Sequence, residues 1–275
     1  LAKLDADWLV VDHYEADHRW HLAVSKHVLK VMVIDDIANR RLECDLLLDQ
    51  NYFHDAANRY QLLVSKDCRC LLGPDFSLFR QDILYWKQFS RSRQRTALRR
   101  LVVFMGGADH HNETRKVVEA LGDLENTGLA VDVVVGGSNF HASLVRQIVE
   151  GKDGYTFYQS APNFAELMAN ADLAIGAGGV AALERCYLGL PALVLVTADN
   201  QEETTLALHE RGALVSLGWH TKVTKTDLRS EIRRLVDNPA MLESMSIKSL
   251  SIFDDNEKGG AERVAIEMSQ LLAKQ

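Results

Sequence analysis

The stretch ADLAIGAGGVAALERCYLGLP, residues 171–191, decides the fold. An apolar run leads into glycines at 176, 178 and 179. A helical pattern then starts at Val180 and stops before Gly189-Leu190-Pro191. Strand, glycine turn and helix in this order make one unit of a parallel sheet with helical crossovers. Glycines let main-chain N–H groups approach a phosphate with no Cβ in the way, and the following helix points its positive end at the same place. A tight strand-to-helix connection with no ligand reads the same way, so the turn alone leaves both open. The spacing is not G-x-G-x-x-G, and no acidic residue ends a next strand about 20 residues on, as a nicotinamide site requires. Glu184 falls in the first turns of the helix. A carboxylate there can accept both hydroxyls of a ribose, and it can equally be a surface residue favoured by the helix dipole.

Outward from this stretch, apolar and amphipathic runs alternate along most of the chain. On the C-terminal side, the pattern predicts a strand at 191–198, a helix at 202–213 closed by Gly212, a strand at 213–219 and three further helices. On the N-terminal side, RRLVVFMGG (99–107) and LAVDVVVGG (129–137) are strands running into Gly-Gly, followed by helices at 112–124 and 140–150. GYTFYQSAPN (154–163) is a short strand and turn, with Asn163 as N-cap of a helix at 164–171. Earlier still, strands are predicted at 7–14, 30–37 and 44–51, with one or two more in 61–74, and helices at 18–28 and 77–89. Continuous Val/Ile/Leu character suits parallel sheets covered on both faces. The basic run SRSRQRTALRR (90–100) reads as a solvated linker or helix face. It separates a domain at 1–97 from one at 98–275, whose last helix can pack back on the first. The class is α/β, with two doubly wound, Rossmann-like domains.

In such sheets ligands bind at the carboxyl ends of strands. Three turns of the second domain carry glycine there: MGGAD (105–109, with Gly106 and Gly107), GGSNF (136–140) and GAGGV (176–180). Three such turns in register point to an anionic ligand. Asn200 and Gln201 end the next strand, and their amides suit sugar hydroxyls and phosphate oxygens; Asn200 also reads as a helix N-cap. The turns SNF and SAPNFAEL can pinch a flat base by backbone groups.

The 275 residues are 47% hydrophobic and carry a net charge of −7. That balance argues against nucleic-acid binding, which needs a broad basic surface. No apolar stretch is long enough to cross a bilayer, and no secretory signal is present, so a cytoplasmic protein without stable membrane insertion is expected. Four scattered cysteines make no disulfide framework; Cys68 and Cys70 share one face of a strand as thiols. His13, His18 and His21 look metal-like, but nothing completes a site, and His110–His111 is no better. Neither a metal nor another cofactor is expected.

These residues also carry a resemblance. The run from GAGG through LERCYLGLP to the ADNQEE strand end is similar to the nucleotide-binding half of the GT-B fold in the lipid-II-forming N-acetylglucosaminyltransferases. VVDHYEAD, IDDIANRRLECDLLLDQN, LLGPDFSLFR, VVFMGGAD, PNFAELMANADLAIGAGG and the NQE segment, in that order, resemble the UDP-2,4-diacetamido-2,4,6-trideoxy-β-L-altropyranose hydrolase family of pseudaminic acid biosynthesis. The resemblance implies metal-independent attack of water at the anomeric carbon of a UDP-sugar, with release of UDP. It places the diphosphate on Gly178, Gly179 and Val180, the ribose on Glu184, and uracil in the turn around Asn163 and Phe164. Asn200 and Gln201 would face the phosphates or the sugar, and Tyr14 of DHY would be an active-site tyrosine.

That family opens with a strand ending in G-x-G-H, whose histidine is the base, and this sequence has no such motif. The expectation is therefore an incomplete N-terminal domain, short by on the order of 60 residues in two βα units. The abrupt, methionine-less start LAKLDADWLVVDHY suggests a fragment. Such a chain would bind UDP and turn over little, with His13 the conceivable replacement base. A GT-B transferase using a UDP-N-acetylhexosamine donor and a non-catalytic UDP-sugar-binding remnant are the alternatives.

Overall fold

The computed structural model describes residues 6–124, 128–254 and 259–273. In chain order its elements are β1 (Trp8–Val11), α1 (His18–Val24), β2 (Lys30–Ile34), β3 (Leu46–Asp49), α2 (Ala56–Arg59), β4 (Arg69–Leu72), α3 (Gln81–Arg91), β5 (Arg100–Phe104) and α4 (Glu113–Ala120). They continue with β6 (Ala130–Val135), α5 (Ala142–Val149), β7 (Tyr155–Gln159), α6 (Phe164–Asn170), β8 (Leu173–Ala177), α7 (Val180–Tyr187), β9 (Ala192–Val196), α8 (Glu202–Glu210), β10 (Val215–Trp219), α9 (Lys225–Val236), α10 (Pro239–Leu250) and α11 (Gly260–Ala273). They form two compact units: the described residues up to Phe79 together with those from Phe253 on, and Arg80–Ile252.

Unit 1 holds a four-stranded sheet in the order β1-β2-β3-β4, every pair parallel. Alternation along each strand fills both faces. Val31, Val33 and Leu47 pack on one side with Val11, Leu42 and Tyr60. Met32, Leu46, Leu48 and Leu71 pack on the other with Val264 of α11. Of the one or two strands expected in 61–74, only β4 forms. The N–H groups of Leu63 and Val64 turn back to the carbonyl of buried Tyr60, at 2.9 and 3.2 Å, so this stretch closes a turn.

Unit 2 holds a six-stranded, all-parallel sheet in the order β10-β9-β8-β5-β6-β7. The chain starts at the centre with β5, winds out to β7, returns to β8 beside β5, and winds out the other way to β10. Its topological switch point therefore lies between the carboxyl ends of β5 and β8, where doubly wound sheets bind ligands. Every residue of β8 and β9 is buried.

The basic run is solvated only in part: Arg91 and Arg99 are exposed, but other residues of it turn inward. Arg95 is 1% exposed and bonds to Ser90, Leu188, Ala171 and Ser246, with burial holding its guanidinium down to about 10. Arg93 pairs with Asp172 at 2.5 Å and Arg100 with Asp132 at 2.6 Å. Ser90, at the end of α3, donates to the carbonyl of Leu188 at 2.5 Å. These bonds tie α3 into unit 2, so the division falls at Phe79/Arg80 and not at 97/98. Among the described residues no helix is long and apolar enough to cross a membrane.

Candidate active site at the carboxyl edge of the sheets

In unit 2 the register pairs Phe104, the last residue of β5, with Gly176 of β8. A side chain at 176 would strike the carbonyl of Phe104 and Arg185 Nη1. Arg185 is fully buried beneath the turn, and its Nη2 donates to the carbonyl of Ala177 at 2.5 Å. Burial holds this guanidinium down to about 10. Gly178 is packed equally closely: a Cβ there would lie 2.7 Å from Thr205 Oγ1 and 2.9 Å from Gln201 Cβ. Gly179, with φ 78° and ψ −160°, occupies backbone space that is essentially glycine's own. It is the N-cap of α7, and no side chain caps the amides that follow. Val180, the first helical residue, is half exposed. The turn is thus shaped by glycine, walled by α8 and open at its donor end.

Gln201 comes beside this turn because β8 and β9 are neighbours. Its Oε1 accepts from the Thr197 N–H at 3.0 Å and the Thr197 hydroxyl at 3.1 Å. That fixes the amide with Nε2 toward the turn, 3.8 Å from the position a Cβ of Gly179 would take. Asn200 sits inside the short helical turn Asp199–Gln201, and the cap position of α8 belongs to Gln201, not to Asn200.

Glu184 is not a surface residue. Its side chain is 12% exposed and faces Arg80, with Nε to Oε1 at 3.7 Å. Burial raises its pKa, opposed by the charges of Arg80 and Arg185. Phe164 is buried and tilts against Phe104, ring centroids 4.7 Å apart, so α6 starts against the end of β5. Asn163 stands at the N-cap of α6 but does not cap it. Its backbone is not extended (φ −100°, ψ 30°), and its amide lies 3.4 Å from Glu166 Oε2 as donor.

Gly106, with φ 97°, and Gly107 form the β5–α4 turn. A Cβ on Gly136 would fall on the backbone of Gly107, and Ser138 Oγ donates to the Gly107 carbonyl at 3.1 Å. The β5 and β6 turns are therefore packed backbone to backbone. Asp109 then accepts from the N–H groups of Glu113 and Thr114, at 2.8 and 2.9 Å, and closes the start of α4. His220 and Lys116 both pair with buried Glu113 just behind it, at 2.9 and 2.6 Å.

In unit 1, Tyr14 follows β1 and donates to Asp36 Oδ1 at 2.8 Å. His21 is fully buried and its Nδ1 accepts from the Glu43 N–H; burial depresses its pKa. All four cysteines are thiols, and Cys44 and Cys68 lie 3.6 Å apart at sulfur. Sequence reasoning missed Arg80, Arg185, Thr205, Asp109 and Asp36. Only Arg185 stood within the quoted stretch, and its place beside Glu184 gave no sign that it turns under the sheet.

The same architecture recurs in proteins of known structure. The chain matches MnaA of S. aureus, in a co-structure with UDP, over 97% of its own length and 74% of that chain, with a TM-score of 0.67 and 14% identity. It matches MurG of Acinetobacter baumannii over 96% and 73%, with a TM-score of 0.64 and 14% identity. These likenesses and the two parallel sheets define a GT-B-like α/β fold. Residues 101–264 match the glycosyltransferase family 28 C-terminal domain, and the chain belongs to that family. Over 187 residues, 66% of the chain, it is 27% identical to the spore coat polysaccharide biosynthesis protein SpsG of Bacillus subtilis (strain 168); the match spans 53% of SpsG.

Proposed function

We propose that unit 2 binds a UDP-sugar at the switch point and that the protein breaks the bond between the anomeric carbon and the diphosphate. The observation that carries this reading is the uncapped start of α7 behind Gly178 and Gly179. The amides of Gly178, Gly179 and Val180 receive the diphosphate, helped by the positive helix end and the Gln201 amide. Glu184, buried in the same helix, accepts the ribose hydroxyls. Uracil sits against the backbone at Asn163 and Phe164, and Asn200, Gly106 and Gly107 line the same edge. As the C1–O bond breaks, charge grows on the leaving diphosphate, where fixed donors are worth most.

Transfer of the sugar to an acceptor hydroxyl is the leading reading, supported by the family. MnaA, of the same fold, has been seen with UDP, and SpsG is named for polysaccharide biosynthesis. Hydrolysis of a UDP-diacetamido-trideoxy sugar is the second reading. It is supported by the ordered motifs from DHY to NQE and by Tyr14 at a strand end of unit 1.

Titration calorimetry with UDP and NMR of UDP-N-acetylglucosamine, with and without sugar acceptors, test both. Saturable UDP binding at micromolar concentrations is expected. No heat with millimolar UDP would overturn the reading. A glycosylated acceptor identifies transfer; free sugar at the same rate with and without acceptors identifies hydrolysis.

A further inference from the structure

We propose that the Thr205 hydroxyl is a further phosphate-binding group of unit 2: a donor left unmet in the free protein and satisfied by an oxygen of the bound diphosphate. This rests on the reading above, in which the α7 turn receives that diphosphate, and it adds a residue of α8 to the site.

Thr205 is 0% exposed, and its Oγ1 has no hydrogen-bond partner among the described residues. A threonine within a helix commonly settles its hydroxyl on the carbonyl four residues back, and here that bond is not made. The hydroxyl lies instead against the α7 turn. It is the atom nearest to the position a Cβ of Gly178 would take, at 2.7 Å. The next two are Gln201 Cβ at 2.9 Å and Gln201 Oε1 at 3.2 Å. Gln201 is the N-cap of α8, and Thr205 comes four residues later. Residues at this spacing share a helix face, so the amide and the hydroxyl reach the glycine turn side by side.

Thr204 shows that burial alone does not make a site. It is 2% exposed and its hydroxyl is equally without a partner among the described residues. Successive residues of a helix do not share a face, however, and the atoms next to Gly178 are those of Gln201 and Thr205.

The neighbours of the hydroxyl select the chemistry of its ligand. Gln201 Oε1 is taken by the N–H and the hydroxyl of Thr197, which leaves Nε2 on the side of Gly179. The first amides of α7 carry no side-chain cap. Arg185, beneath the turn, donates to the carbonyl of Ala177. All of these groups are donors, so what the place lacks is an acceptor, and a ligand must bring its own oxygens and negative charge. A diphosphate brings both. With glycine at 178, no side chain stands between the hydroxyl and the turn. A buried hydroxyl without a partner costs the free protein stability, and a phosphate oxygen removes that cost on binding.

Thr205→Val keeps the branched shape and removes the hydroxyl. By calorimetry on the full chain, UDP and inorganic pyrophosphate should both bind about 10- to 150-fold more weakly, the loss of one hydrogen bond to a charged group. Thr205→Ser should restore most of the affinity. The free Thr205→Val protein should melt no lower than the wild type, because it no longer buries an unmet hydroxyl; a residue that merely supports α8 would lose Tm and affinity together. UDP affinity within twofold of wild type in Thr205→Val, a loss for UDP without one for pyrophosphate, no recovery in Thr205→Ser, or a Tm several degrees lower in Thr205→Val would each overturn the assignment. Failure of the underlying reading looks different: the wild type would then bind neither UDP nor pyrophosphate, which overturns both.

Discussion

Two helices start side by side at the centre of the six-stranded sheet, and their first turns are finished in opposite ways. α4 follows β5 and seals itself, since Asp109 takes the amides of Glu113 and Thr114. α7 follows β8 and begins at Gly179 with no side chain on its amides. Both strands run into glycine turns, and they are hydrogen-bonded partners. Glycine content therefore does not distinguish a sealed helix start from an open one; what fills the helix end does. At α4 the anion is part of the chain. At α7 the place for one is open, backed by the buried Arg185 and the Gln201 amide.

The hardest blow to the contrast is aimed at Gly179. Gly179→Ala puts a side chain into glycine's own backbone region at about 1–3 kcal/mol, which, if relieved by moving the turn, converts to about 5- to 150-fold weaker UDP binding by calorimetry. An unchanged Kd would mean that the α7 turn is as structural as its neighbour. Next comes Glu184→Ala, which removes hydrogen bonds to a charged group, about 1.5–3 kcal/mol. UDP should bind at least about tenfold more weakly, whereas inorganic pyrophosphate should bind as before; equal losses for both ligands would refute the assignment to ribose. Asp109→Ala sharpens the comparison from the other side. Loss of the cap should lower stability by about 1 kcal/mol, or roughly 2–4 °C in Tm, and leave UDP affinity within twofold. If UDP binding fell as far as in Glu184→Ala, the two turns would not be different in kind.

The smallest effect is one of pH. Burial raises the pKa of Glu184, so its charged form gives way to the neutral acid at a higher pH than in an ordinary carboxylate. Nucleotide affinity should fall on acidification, with the fall beginning above the ordinary carboxylate range. Since UDP itself titrates, the quantity to read is the difference between the wild-type and Glu184→Ala profiles. Coincident profiles would remove Glu184 from the ligand.

Much of this was written into the chain. β5, β6 and β8 each announce themselves as apolar runs breaking at glycine, because a buried parallel strand must be apolar on both faces and the ligand edge needs turns without side chains. The closeness of Gln201 to Gly178 followed from treating β8 and β9 as neighbours. The sheet order could not be read, since strand pairing is set by distant packing. Nor could the fate of the basic run: Arg95 carries the same letter as its solvated neighbours, and only the carbonyls of Ala171 and Leu188 reveal why it is buried. Asp109 escaped because it stands three residues before the cap position of α4. Arg80 and Glu184 lie too far apart in sequence for any local pattern to join them. Asn163 looked like a cap and is none, because its backbone angles aim the side chain at Glu166 instead.

Arg185 has one more consequence. It lies under the α7 turn, wholly out of water, donates to the residue before Gly178, and remains cationic at neutral pH. A pyrophosphate held over it by main-chain amides meets positive charge that dissolved counterions cannot reach. Raising ionic strength from 0.05 to about 0.5 M, which collapses attraction to surface lysines, should therefore leave the grip on the nucleotide nearly untouched.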